Sequence, residues 1–77
     1  MDRTELDRLE AVAEQAYGLI YDTPPMRSAK DAYDDAQYAF RRAINEAGRL
    51  GLPDEAERLR RRRDHVEAVW NHQFRGL

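Results

Sequence analysis

Apolar residues recur at intervals of three and four along almost the whole of this 77-residue chain, and two short stretches break the pattern. A period near 3.6 means helices with one buried face each, and two breaks mean three of them. The breaks are YDTPPMRSAK and GRLGLPDEAER, which between them hold all three prolines. Proline ends a helix because it lacks an N–H and clashes with the preceding turn.

The first segment, residues 2–21, has its stripe at Leu6, Leu9, Val12, Ala13, Ala16, Leu19 and Ile20. Thr4 with Asp7, or Asp2 with Glu5, offers a capping start. The stripe spans roughly 160°, and Val12 and Leu19 flank its seam. The second segment, residues 28–50, carries Ala29, Ala32, Tyr33, Ala36, Ala39, Phe40, Ala43, Ile44, Ala47 and Leu50. Its alanines form a seam that lets a partner helix approach, and Tyr33, Phe40 and Ile44 fill the flank. Ser28 is the expected cap of this helix, with room for an extra turn before it, and Thr23 before Pro24 is the alternative. The third segment, residues 53–73, follows Gly51, suited to a left-handed stop, and starts at Pro53 with Asp54, Glu55 and Glu57 in its first turn. Its stripe is Ala56, Leu59, Val66, Val69, Trp70 and Phe74.

Short loops make consecutive helices antiparallel neighbours, so the expected fold is all-α, a single-domain, three-helix, up-down-up bundle over residues 1–77. The spacing Tyr33, Ala36, Phe40, Ala43, Ile44 resembles that of a tetratricopeptide helix pair. It covers about half the chain, occurs once and lacks the rest of that pattern, so no family is assigned on it.

A core this small supplies about 3–5 kcal/mol. There is no cysteine, which removes disulfides and thiolate metal sites as extra support and leaves close packing or self-association. The segment MDRTELDRLE is acidic and polar, unlike a signal peptide, and no apolar run is long enough to span a membrane, so a cytoplasmic protein is expected. Twelve of the thirteen basic residues are arginine, a bias that reflects genomic base composition and suggests a bacterial source.

RLRRRRDH, Arg58 to His65, is the one run that invites a nucleic-acid reading. On a helix Arg60 to Arg63 turn through about 300°, so they form no continuous patch. Acidic residues at helical spacing are candidate partners: Asp54 for Arg58, Glu57 for Arg61, Asp64 for Arg60 and Glu67 for Arg63. Net charge is −2, and polyanion binding calls for a one-signed face. Arg63 differs from its neighbours because its angle lies inside the apolar stripe. It must snorkel, meet Glu67 or Glu5, or stack on Trp70.

Catalysis is not expected. Thr4, Thr23 and Ser28 are the only hydroxyl side chains of serine or threonine type, and helix capping accounts for all three. Asp34 and Asp35 diverge by about 100°. His65 and His72 are seven apart on the face away from the core, without a ligand one turn away, so no metal and no cofactor is expected. The expected function is a small helical protein-interaction module or regulator that self-associates; the alternative is a regulator that contacts nucleic acid through the third helix. Candidate contact residues are Tyr38 with Arg42, off the stripe of the second helix, and Arg60, Arg63 and Trp70 on the third.

Overall fold

The computed structural model describes residues 2–22 and 26–73. Three helices account for nearly all of them: α1, Thr4–Asp22; α2, Met26–Arg49; and α3, Pro53–Gln73. Thr23, Pro24 and Phe74, which the sequence reading used, lie outside the described residues.

The helix ends follow local chemistry. Thr4 N–H donates to Asp2 Oδ1 at 2.8 Å, so Asp2 caps α1. Hydrogen bonding from Thr4, by its side chain first and its backbone N–H second, holds the Asp2 carboxyl below its usual pKa. Ser28, expected to cap α2, lies inside that helix, which starts two residues earlier at Met26. Serine is tolerated within a helix, and no residue between Pro25 and Ala29 would stop one. The α2–α3 turn is a Schellman motif. Leu52 N–H donates to Ala47 O at 2.9 Å, Gly51 N–H donates to Gly48 O at 3.1 Å, and Gly51 has φ 72°. Ala56 N–H then donates to Leu52 O at 3.0 Å, which places Pro53 at the first helical position, where its missing N–H costs nothing.

The middle element is α2, with α1 and α3 each packed against it. The main core joins Leu6, Leu9, Ala13 and Ala16 of α1 to Ala36 through Ala47 of α2 and to Ala56, Leu59 and Val66 of α3. Phe40 is fully buried at its centre. The alanine seam is buried along its length, as its spacing requires. A second cluster of Ile20, Ala29 and Ala32 closes the other end of the bundle, with Tyr17, Tyr33 and Trp70 packed against it. No described side chain that is polar or charged is buried, so water is excluded by apolar packing alone. None of the described helices is long and apolar enough to cross a membrane.

Candidate functional site

The arginine run is held by α1. In an up-down-up bundle the first and third helices run parallel, so residues one turn apart on each match at the same height. Glu10 and Glu14 are one turn apart, and so are Arg58 and Arg62. Arg58 donates to both Glu10 oxygens, at 2.7 and 2.8 Å, and also to Glu55 at 2.8 Å. Arg62 donates to both Glu14 oxygens, at 2.8 and 2.9 Å, with its guanidinium 5.1 Å from the centre of the Tyr17 ring. Arg3 extends the ladder to Glu55 at 3.1 Å. These long side chains bridge helices whose backbones barely approach. The hydrogen bonds from Arg58 hold the Glu10 carboxyl below its usual pKa and raise that of the Arg58 guanidinium.

The remaining arginines pair within α3. Glu57 meets Arg61 at 3.3 Å and Arg60 at 3.6 Å, and Asp64 meets Arg63 at 3.3 Å. Of the spacings expected for this run, Glu57 with Arg61 is present. Asp54 with Arg58, Arg60 with Asp64 and Arg63 with Glu67 give way to other partners. Arg63 is half-buried, and its backbone carbonyl accepts a 3.5 Å hydrogen bond from Gln37 Nε2 of α2. Its charge goes to the adjacent Asp64 rather than to Glu5, Glu67 or the Trp70 face, because the exposed Asp64 carboxylate is in reach at the solvent edge. Trp70 stacks on Tyr33, with ring centres 4.6 Å apart and planes at 12°. Arg60, Arg63 and Trp70 therefore make contacts in three different directions.

Tyr38 and Arg42 come together with residues of α1. The Arg42 guanidinium lies 5.8 Å from the centre of the Tyr38 ring, and its Nη2 lies 4.0 Å from Glu5, which Arg8 also grips at 2.5 and 2.9 Å. Tyr38 is 59% exposed, Val12 43% and Leu19 45%, and all three border one open groove of about 350 Å³ between α1 and α2. The floor of that groove includes Leu9, Ala16 and Ala39. A second groove of about 260 Å³, bordered by Asn45, Glu46 and Arg49, continues from it and shares Leu9 and Arg42. The sequence marks Val12, Leu19 and Tyr38 separately; their convergence depends on the register of α1 against α2.

This surface is open and mixed in character. It is apolar at the centre and charged at the rim, and no described polar side chain is buried in it. Among the described residues, no group of three or more His, Cys, Asp or Glu is placed to hold a metal ion. No protein-family model matches the chain, and no curated protein or solved structure matches it either.

Proposed function

We propose that this chain is a small, non-enzymatic helical interaction module that docks its α1–α2 face against protein, with a second copy of itself as the leading partner. The observation that carries this reading is the convergence of Val12, Leu19 and Tyr38, all more than two-fifths exposed, on one groove. Isolated surface apolar residues are ordinary, but three on one concave strip give an apolar surface that association would cover. A tyrosine beside an arginine is also a frequent anchor of protein interfaces. The nucleic-acid alternative is weakened by the structure's use of arginine, since Arg58 and Arg62 are each committed to glutamates of α1. The setting we propose is a bacterial cytoplasm, whose reducing chemistry suits a cysteine-free chain.

Light scattering coupled to size-exclusion chromatography, from low to high micromolar concentration, tests this function. A mass that rises with concentration, and that Val12→Ser with Leu19→Ser abolishes without loss of helix content, is the expected result. A monomer at every concentration overturns self-association. Retention of bulk DNA at low salt, falling steeply as salt is added, would favour the nucleic-acid reading instead.

A further inference from the structure

The exposed face of α2 has a charge order that selects one way for two copies to meet. Asp35, Tyr38, Ala39 and Arg42 stand at i, i+3, i+4 and i+7, so they form one stripe along the groove. The stripe is apolar in the middle, acidic at one end and basic at the other, with about 10 Å between the charges. Asp35 forms no ion pair among the described residues, whereas nearby Asp34 is held by Lys30 at 2.7 Å. Arg42 is only loosely held, because its contact with Glu5 is 4.0 Å long and Glu5 is already gripped by Arg8. The two charges that border the apolar centre of the stripe are thus the ones the fold leaves available.

We propose that two copies pair face to face about a two-fold axis lying across the helices at Tyr38 and Ala39, with α2 antiparallel on α2 and α1 antiparallel on α1. Asp35 of each protomer then meets the partner's Arg42, and the pair is made twice because a two-fold interface is self-complementary. The other two-fold arrangement has its axis along the helices. It lays α2 on α1 of the other copy at unchanged height. Arg8 and Arg42 both reach Glu5 and so share one end of the groove; that arrangement brings like charges together there and leaves Asp35 over apolar Ala16 and Leu19. Charge order of this kind sets orientation and register, while Val12, Leu19 and Tyr38 supply the covered apolar area.

This inference rests on the self-association proposed above, and charge exchange tests it separately. Asp35→Arg sets two pairs of like charges against each other in the homodimer, and so does Arg42→Asp. Each variant alone should weaken self-association by about tenfold or more. An equimolar mixture of the two should regain assembly as a heterodimer in which both pairs are again opposite. The double variant Asp35→Arg/Arg42→Asp should assemble like the parent chain. Circular dichroism checks that each variant keeps its helices; if a reversal does not fold, Asp35→Asn and Arg42→Gln replace it, and their effects on the dimer should be less than additive. A parent chain that self-associates while the mixture stays monomeric, or additive effects from the neutral pair, overturns the antiparallel register and leaves self-association standing. A parent chain that is monomeric throughout overturns both.

Discussion

Arg58 and Glu10, 48 positions apart in the chain, meet through two parallel hydrogen bonds of 2.7 and 2.8 Å across the space between α3 and α1. Arg62 and Glu14 repeat the same separation one turn on. The apolar core fastens α1 and α3 chiefly to α2, so this ladder fixes how the two outer helices stand against each other. That register keeps the other side of α1, with Val12 and Leu19, turned toward the open groove.

The Glu10–Arg58 link should be measurable but small. Arg58 keeps 48% of its side chain exposed, and Glu10 keeps 25%, so water screens the pair. A double-mutant cycle with Glu10→Gln and Arg58→Met should give a coupling of about 0.5–1 kcal/mol by urea denaturation. The coupling should shrink as salt is added. Zero coupling at low salt would mean that packing on α2 alone sets the position of the outer helices.

Acid should loosen the bundle in a defined window. The hydrogen bonds from Arg58 lower the Glu10 pKa below the ordinary glutamate value of 4.5. Glu5, Glu46 and Glu55 are lowered too, by hydrogen bonds from Arg8, Arg49 and Arg58 respectively. For a group depressed by folding, the stabilisation is complete above the unfolded pKa and is lost as pH falls through the folded one. Thermal midpoints should therefore hold steady from neutral pH down to about 5 and fall below that. Glu10→Gln should start lower and lose less between pH 5 and pH 3; an identical acid slope in the variant would show that the Glu10 pair contributes nothing.

Gly51 should be the least replaceable of the described glycines. Its φ of 72° lies in the left-handed region, and a Cβ placed there would meet nothing within 4 Å. The cost of substitution is therefore conformational rather than steric, about 1–2 kcal/mol for Gly51→Ala and less for Gly51→Asn. Gly48, in ordinary helical backbone with open space around it, should gain stability as Gly48→Ala, by up to about 1 kcal/mol. Chemical denaturation of the two alanine variants should give opposite signs.

Local signals made the fold readable, and register hid the surface. The alanine seam from Ala29 to Ala47, the Gly51–Pro53 turn and the bounds of α3 all follow from side-chain period and backbone constraint within a few residues. The start of α2 did not, because serine both caps and tolerates helices and Ser28 gives no sign of which. The α1 partners of Arg58 and Arg62 are not legible from i+3 and i+4 spacing, because Glu10 and Glu14 lie on another helix. Glu10 with Glu14 and Arg58 with Arg62 are matched pairs on two parallel helices, a signal available once the up-down-up order is accepted. Tyr38 with Arg42 was visible as an off-stripe pair, but the groove they share with Val12 and Leu19 depends on how far α1 is rotated about its axis.

Adjacent arginines in the run should behave in opposite ways, which separates arginines that hold the fold from those that only solvate it. Arg62 makes two hydrogen bonds to Glu14 and lies over Tyr17, so Arg62→Leu removes a two-point ion pair and a ring contact together. With just over a third of each side chain exposed, the loss should be about 1 kcal/mol after solvent screening. Arg63 sits between Leu59 and Val66 in the apolar period, both fully buried, and its ion pair is with Asp64, which is 66% exposed. Such a pair contributes little, while a leucine at this position would extend the apolar face that the arginine stem now only borders. Arg63→Leu should therefore be neutral or raise stability by up to about 1 kcal/mol. Arg61, 80% exposed, should change stability by less than about 0.5 kcal/mol when replaced by alanine. Three thermal or urea unfolding curves decide the matter: equal losses at Arg61, Arg62 and Arg63 would show that the run acts as one undivided charged face rather than as a ladder against α1 with solvated arginines beside it.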